Sequence, residues 1–340
     1  MGTAITSLLK IKETSIKELS GKTLVIDGQN MLYQFLTTIR QQDGSLLTDK
    51  NGNVTSHLIG LISRLTNFLQ NNLKIIFVFD GKVPDLKKQE LQKRKEVKIS
   101  AQEKYETAKA KENIADMKKY ASRTTRLTPD LLEEAKVLID AIGLPIVQAP
   151  SEGEAQAARI VANGDAYAIV SQDADSLLFG ATRVVRNLNI AGKRKMGATY
   201  KKVYPEIIEL SETLNHLQID RKKLILLAML VGTDYNVGGI KGIGPKTAIS
   251  LVKKYDKPEE LFEEVKWFNH FTVDWKDVYD ALINVAVIDD YSLEWKPFDK
   301  EKIRAILVDK HDFSEERMAR LFEKLEKTAE LNKQKSIFDY

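Results

Sequence analysis

Apolar runs of β-forming residues alternate with stretches of helical spacing along the first half of the chain. The runs TLVID and IIFVFD, at 23 to 27 and 75 to 80, are separated by two stretches with helical periodicity, at 30 to 40 and 54 to 72. Strands joined by a helical crossover typically pair in parallel. The pattern therefore predicts an α/β fold with a mostly parallel central sheet flanked by helices.

The alternation continues to about position 205. Thr128 followed by Pro129 is typical of a helix start, because threonine caps the first turn and proline is tolerated at its first position. Further strands and helices are predicted at 144 to 149, 152 to 163, 166 to 171, 183 to 188 and 199 to 204. We expect the last two of these runs to complete the sheet, and the remainder of the chain to be mainly helical.

Composition narrows the class of protein. The chain of 340 residues has no cysteine, which excludes disulfides and Cys-ligated zinc, and its 4 histidines are scattered, which disfavours a zinc hydrolase. No apolar run approaches the roughly 18 residues of a membrane span, and the start lacks a secretory signal, so we expect a cytoplasmic protein with no membrane partner. The start does match the N-myristoylation pattern, which is short enough to occur by chance.

Acidic residues stand where the predicted strands end or the next helix begins. They are Asp27, Asp80, Glu152, Glu154, Asp173, Asp175 and Asp234. Parallel α/β sheets bind ligands outside the carboxyl ends of their strands, so these acids should converge. Two carboxylates about 5 Å apart repel by about 3 kcal/mol at an effective dielectric constant of about 20, so such a cluster requires cations.

Two Mg²⁺ ions are the cations that this acidic set favours. Mg²⁺ prefers oxygen ligands, Mn²⁺ can substitute for it, and a pair of such ions about 4 Å apart hydrolyses phosphodiesters. Taken singly, the acids also have structural interpretations: turns at the two Asp-Gly pairs, a capping box at 151 to 154, and helix ends at 173, 175 and 234. Those interpretations do not explain why all of the acids occupy equivalent ends of successive elements.

The segment from Lys82 to Arg126 is the most basic part of the chain. It holds 14 Lys or Arg and 7 Asp or Glu, whereas the whole chain has a net charge of only +4. From Pro84 to Tyr120 it has few large apolar residues, which predicts exposed helix. A solvated helical face is one interpretation, and a surface that binds a polyanion beside an acidic metal site is the other.

A glycine-rich turn lies between two apolar helical stretches. Its sequence, GGIKGIGPKTA from Gly238 to Ala248, differs from a Walker loop because Pro245 separates the last glycine from Lys246 and no strand precedes it. Free amides at the start of the following helix form an anion site. The turn therefore suits a phosphate backbone held without reading its sequence, with a simple inter-helix turn as the alternative.

Together these segments resemble the flap endonuclease family of structure-specific 5′ nucleases, in its archaeal form. The resemblance is carried by VIDGQNMLYQFL, TSHLIGL, VFDGKVPDLK, APSEGEAQAA, SQDADSLLFG, LVGTDYN and GIKGIGPKTA, in this order up to about residue 265. It implies a single nuclease domain over 1 to 330, with a helical arch or cap at about 84 to 130 and a helix-two-turn-helix DNA-binding element at about 224 to 255. It also implies a Mg²⁺-dependent enzyme that cuts 5′ flaps at their junction with duplex DNA, and trims 5′ ends, in replication and repair.

The resemblance implies roles for individual residues. One Mg²⁺ would be served by Asp27, Asp80, Glu152 and Glu154, and the other by Asp173, Asp175 and Asp234. Lys87 and Arg94 match the cations that act on the scissile phosphate, so that the catalytic set is Lys87, Arg94, Asp80 and Asp175. DNA contacts are implied for Gly2, Tyr33, Arg40, Thr55, Gly242, Gly244 and Lys246, with K⁺ in the helix-two-turn-helix.

The segment 331 to 340 resembles a sliding-clamp-binding tail. Its motif residues are Gln334, Ile337, Phe338 and Tyr340, and the second aromatic of the motif would fall beyond the last residue. We expect a monomer whose partners are branched DNA with a 5′ flap and the clamp. The alternatives are a sibling nuclease that acts on bubbles, gaps or Holliday junctions, and a non-catalytic junction binder or clamp-associated scaffold.

Overall fold

The computed structural model describes residues 5–188, 193–196 and 199–338, with nine strands in these ranges. The strands are β1 (Ile11–Glu13), β2 (Thr23–Asp27), β3 (Lys74–Phe79), β4 (Ile146–Gln148), β5 (Ala168–Val170), β6 (Arg183–Arg186), β7 (Lys193–Met196), β8 (Thr199–Lys202) and β9 (Glu206–Glu209). Seven of them form the main sheet, in the order β1-β9-β6-β5-β2-β3-β4. From β6 to β4 all neighbours are parallel, whereas β9 is antiparallel to both β1 and β6.

Helices flank this sheet and make up most of the rest of the described chain. They are α1 (Gly28–Thr38), α2 (Ser56–Gln70), α3 (Lys88–Ala110), α4 (Ile114–Ala121), α5 (Pro129–Ala141), α6 (Gly153–Ala162), α7 (Asp175–Leu178), α8 (Leu210–Leu217), α9 (Arg221–Val231), α10 (Pro245–Lys254), α11 (Pro258–Glu264), α12 (Trp275–Ile283), α13 (Lys300–Arg304) and α14 (Glu315–Phe338). A π-helical segment, Ala305–Lys310, follows α13. The predicted α/β fold with a mostly parallel sheet flanked by helices is confirmed.

Of the two runs predicted to complete the sheet, 183 to 188 does so as β6, whereas the prediction for 199 to 204 is wrong. Residues Thr199–Lys202 form β8, which pairs with β7 in a separate two-stranded sheet. The main sheet is completed by β9, in a region predicted to be helical, and by β1, which had no predicted counterpart. Strands of three and four residues are too short to show a clear alternation of apolar and polar positions.

Both faces of the sheet are buried, as parallel sheets require. In β2 the side chain of Val25 belongs to the core under α6 and α9, whereas its neighbours Leu24 and Ile26 belong to the core under α1, α2 and α5.

The crossover from β2 through α1 and α2 to β3 follows the prediction. The predicted cap also forms, since Leu131 N donates to Thr128 Oγ1 at the start of α5.

Between β3 and α5 the chain leaves the sheet as α3 and α4, which we call the arch segment (84–130). Its two helices pack against each other, and in α3 the buried apolar side chains are the small ones of Ala101 and Ala108. The predicted exposed helix is therefore confirmed. No helix in the described ranges combines the length and apolar character needed to cross a bilayer.

Residues 284–299 connect α12 to α13 and contain no helix or strand. We call them the strap because they run across α6 and the end of α5. The fully buried side chain of Gln156, in α6, donates to the carbonyl of Ile288 and accepts from its amide, both at 2.8 Å. Lys296 N donates to Gly143 O at 2.9 Å. The strap therefore supports the helix that begins beside Glu152.

Candidate active site

The sheet brings the predicted acids to one edge. Asp27 ends β2, Asp80 follows β3, and Asp173 follows β5. β2 lies between β3 and β5 in the sheet and pairs in parallel with both. Glu152 and Glu154 lie at the start of α6, after β4. The same edge receives Asp175 in the first turn of α7 and Asp234 in the turn after α9.

Asp27 and Asp80 form an interacting pair at this edge. Burial, reinforced by the Asp80 carboxylate, raises the pKa of Asp27 to about 7. Burial also raises the pKa of Asp80, although Gly153 N donates to its Oδ1 at 2.6 Å. Asp27 has a structural contact as well, because its Oδ1 accepts from Asn30 N at 3.0 Å and caps α1.

Glu154 connects this pair to the acids that follow β5. Burial raises its pKa well above the ordinary value, and the carboxylates of Asp175, Asp27 and Asp173 add to that effect, in this order. Ser171 Oγ lies 3.3 Å from Glu154 Oε1 and accepts from Asp173 N at 3.1 Å. The negative charge of these acids therefore acts on one shared volume.

Lys87 links the remaining two acids. Its Nζ lies 2.9 Å from Glu152 Oε2 and 3.5 Å from Asp234 Oδ2. Burial would lower the pKa of Lys87, but the carboxylates of Glu152 and Asp234 outweigh it and raise that pKa, so the side chain is a cation. The ammonium also lies 5.1 Å from the centre of the Tyr235 ring, whose hydroxyl donates to Glu152 Oε1.

Arg94 reaches the same point from α3. One of its Nη atoms lies 3.1 Å from Asp234 Oδ2, so the arch segment contributes two cations to the acidic edge. The predicted convergence of Lys87 and Arg94 with the acids is thus seen in the geometry. The capping-box interpretation of 151 to 154 is wrong, because Glu152 and not Ser151 occupies the N-cap position of α6 and makes no side-chain capping bond.

The donor set fits hard divalent cations. All of the side chains concerned offer oxygen, and buried carboxylates that raise one another's pKa are stabilised by a metal ion. Within the described residues no three acidic or histidine side chains surround a single point closely enough to hold a metal ion by themselves. Mg²⁺ keeps several waters and is usually bound through one or two carboxylates, a requirement that a pair such as Asp27 and Asp80 would meet.

Two of the predicted DNA-contacting residues, Tyr33 and Arg40, contact the arch segment. The ring of Tyr33 is covered by Lys98 Nζ of the arch segment, 5.1 Å from the ring centre. Arg40 Nη1 donates to Gly44 O at 2.7 Å, and its Nη2 bonds to Thr125 Oγ1 at the base of the arch segment. Thr55 precedes α2 and is only 4% exposed. Arg40 therefore also has a structural contact that the sequence does not indicate.

The predicted glycine turn forms between α9 and α10. Gly239 has φ +61°, and a Cβ there would lie 2.3 Å from the backbone carbon of Val231, so only glycine fits. Ile240 is buried, while Gly244 caps α10 and Lys246 lies exposed in its first turn. Gly242, with φ +87°, lies in the same turn, and a Cβ added there would meet no atom within 4 Å.

Gly2 and Tyr340 lie outside the described residues. Gln334, Ile337 and Phe338 belong to the last turns of α14.

Sequence reasoning missed two groups at the acidic edge. Tyr235 donates to Glu152, and Ser171 contacts Glu154. Tyr235 directly follows Asp234, and Ser171 lies two residues before Asp173. This proximity to predicted acids is the sequence feature that could have identified them.

Comparison with known proteins gives consistent matches. Residues 3–101 match the XPG N-terminal domain, and residues 143–234 match the XPG I-region. Flap endonuclease 1 of Pyrococcus abyssi is 49% identical, over 99% of this chain and 97% of its own length. Flap endonuclease 1 of Pyrococcus furiosus is 47% identical, over 99% of this chain and 98% of its own.

Solved structures agree with these matches. The flap endonuclease-1 from Methanococcus jannaschii has a TM-score of 0.76 and 39% identity, over 96% of this chain and 98% of that chain. The catalytic core of Rad2 in complex with DNA substrate has a TM-score of 0.68 at 23% identity, over 96% of this chain and 100% of that chain, and shares the fold.

Proposed function

The chain belongs to the flap endonuclease family, and on that premise we propose that it cuts 5′ flaps at their junction with duplex DNA and trims 5′ ends in replication and repair. The observation that carries the proposal is the meeting of Lys87 and Arg94, from the basic arch segment, with the acids at the carboxyl edge of the sheet. A site of this kind pairs an acidic centre with a cationic entrance for a polyanion.

The acids would hold two Mg²⁺ ions, with Asp27, Asp80, Glu152 and Glu154 on one side and Asp173, Asp175 and Asp234 on the other. When bound, such a pair of ions activates water and neutralises charge at the phosphate. The protein keeps the acids in place through backbone contacts, of which the bond from Gly153 N to Asp80 is an example.

Lys87 and Arg94 would act on the scissile phosphate. Both are fixed at Asp234, where a phosphate close to the acids would meet them, and positive charge that is already in place stabilises a transition state without reorganisation. Lys87 is the better fixed of the two, since its side chain is 19% exposed whereas that of Arg94 is 44% exposed.

Binding of the DNA would use surfaces around this centre. The glycine turn with Gly242, Gly244 and Lys246 would hold the phosphate backbone of the duplex, with K⁺ bound to its carbonyls. Tyr33 would stack on a base, and Arg40 and Thr55 would contact the DNA nearby. Gly2 would contribute from the amino terminus.

We further propose that the protein works as a monomer and binds a sliding clamp through Gln334, Ile337, Phe338 and Tyr340. Deleting 334 to 340 should leave clamp-free cleavage unchanged and abolish stimulation by the clamp. Stimulation that persists would assign the contact to another surface.

Cleavage of four substrates with Mg²⁺ at equal salt tests the proposed activity: a 5′ flap, a bubble, a gap and a four-way junction. We expect the flap to be cut fastest, and a preference for another substrate would favour a sibling nuclease. Asp175→Ala should bind the flap without cutting it. Unchanged cleavage by this variant would contradict the metal assignment, and a wild-type protein that binds all four substrates but cuts none would favour a scaffold.

A further inference from the structure

Glu90, in the first turn of α3, is a buried carboxylate in an otherwise exposed part of the arch segment. It is 5% exposed, whereas most side chains of α3 face solvent. A buried carboxylate is costly unless it is paired and hydrogen-bonded. Among the described residues, its Oε2 atom is buried and has no hydrogen-bond partner.

The partner of its other oxygen is Arg94, one helical turn later. Glu90 Oε1 pairs with Nε of the Arg94 guanidinium. An Nη atom of the same group lies 3.1 Å from Asp234 Oδ2, among the acids. Glu90 and Asp234 therefore bind two different nitrogens of one planar group, and Glu90 leaves the Nη atoms available to the reaction centre.

Ordinary helix stabilisation does not account for this arrangement. An acid in the first turn favours the helix dipole, and an i,i+4 ion pair contributes about 0.3 to 0.5 kcal/mol, but an exposed carboxylate supplies both without the cost of burial. Glu96, in the same helix, is exposed and bonds to Gln92 at 3.2 Å. The burial of Glu90 is explained if its carboxylate serves to hold Arg94 in place and not to stabilise the helix.

We infer that Glu90 is a positioning residue for Arg94. By holding Nε, it directs the Nη atoms of a half-exposed arginine toward Asp234 and, with substrate bound, toward the scissile phosphate. The guanidinium is planar, so fixing one of its nitrogens restricts the directions in which the others can donate. The inference rests on the proposed function, because it assigns Arg94 to the phosphate.

Single-turnover cleavage of a 5′ flap with Mg²⁺ tests the inference, with Glu90→Ala, Arg94→Ala and the double variant measured alongside the wild type. We expect Arg94→Ala to lower the rate by about 10² to 10³, as for loss of one transition-state donor. Glu90→Ala should lower it by about 10- to 100-fold, because the guanidinium is misplaced rather than removed. The double variant should be no slower than Arg94→Ala.

Further measurements separate positioning from structural damage. Glu90→Gln keeps the shape and an oxygen that accepts from Nε, so it should recover most of the rate lost in Glu90→Ala. Glu96→Ala removes the same charge from the same helix and should cut at the wild-type rate. The affinity for the flap without divalent metal should be the same for Glu90→Ala and Glu96→Ala, so that the difference lies in the rate and not in binding.

Three results would overturn the inference. If the losses of Glu90→Ala and Arg94→Ala multiply in the double variant, Glu90 does not act through Arg94. If Glu96→Ala is as slow as Glu90→Ala, the effect is one of net charge. If Arg94→Ala alone keeps the wild-type rate, the role of Arg94 under the proposed function fails first, and the role of Glu90 fails with it.

Discussion

Nζ of Lys87 lies 2.9 Å from Oε2 of Glu152, so the segment that leaves β3 is tied to the residue at the N-cap position of α6. This ion pair joins the base of the arch segment to the acidic edge of the sheet. Because both partners are largely buried, solvent and salt screen the pair less than they would a surface pair.

Replacing Lys87 by alanine should slow catalysis strongly. The variant removes the cation nearest to Glu152 and Asp234, and we expect the single-turnover rate on a 5′ flap to fall by about 10² to 10³ with little change in DNA affinity. Lys88→Ala is the matched control, because Lys88 is exposed and pairs with Asp85 instead. Equal losses in the two variants would mean that arch charge in general, and not the position of Lys87, matters.

Replacing Tyr235 by phenylalanine should destabilise the site while keeping the ring under Lys87. Burial raises the pKa of Tyr235, with the Glu152 carboxylate adding to the effect, so its hydroxyl is a proton donor at neutral pH. A hydrogen bond to a charged acceptor contributes about 1.5 to 3 kcal/mol, and we expect the free energy of unfolding in urea to fall by up to that amount. Tyr204→Phe is the control, since Tyr204 is 50% exposed. If the two variants have the same free energy of unfolding, the bond from the Tyr235 hydroxyl to Glu152 does not stabilise the fold.

Acid should destabilise the protein partly through Glu134. Burial would raise the pKa of Glu134, but contacts with His57, Lys310 and His311 outweigh it and lower that pKa to about 2. A folded-state pKa below the ordinary value of 4.5 contributes stability at higher pH that is lost as the pH falls from 4.5 toward 2. The free energy of unfolding should therefore depend less steeply on pH in this range for Glu134→Gln than for the wild type.

The neighbouring residue provides the control for that measurement. Glu133 is exposed and pairs with Lys136, so Glu133→Gln should keep the wild-type pH dependence. A wild-type slope in Glu134→Gln would mean that other carboxylates, such as Asp49 beside His311, account for the acid sensitivity.

Adding a methyl group at Gly239 should weaken the grip on duplex DNA. Alanine there would meet the backbone of Val231 and adopt an unfavourable φ, so the turn must shift. We expect weaker binding of a duplex without a flap, measured by fluorescence anisotropy at fixed salt. Gly164→Ala also has positive φ but open space around it, and it should bind duplex as the wild type does. Unchanged binding by Gly239→Ala would argue against a role for the turn.

The acidic edge was predictable because its signals are local. Asp27 and Asp80 directly follow strands whose apolar runs are long enough to recognise, and parallel pairing brings the ends of such strands together. The glycine turn was predictable for a similar reason, since positive φ and close backbone approach require a residue type that the sequence displays.

The remaining features depend on contacts between distant parts of the chain. β1 is recognisable only through its partner β9, and Gln156 is explained only by Ile288. The contact of Arg40 with Thr125 belongs to this class too, because nothing near either residue in sequence indicates the other. Periodicity and motifs describe neighbours along the chain, and these pairs are neighbours only in space.

Because the strap follows α6 by more than a hundred residues, α6 gains its contact with the strap only late in synthesis. Glu152 and Glu154 emerge early, together with the helix that presents them, but the backbone group that Gln156 binds in that helix belongs to Ile288. The first strand likewise waits for β9, since Ile11 pairs with Ile208. A nascent chain that has already exposed every acid of the site therefore still lacks the support of one of its helices. A segment made later in synthesis thus supports a centre whose own residues are all made before it.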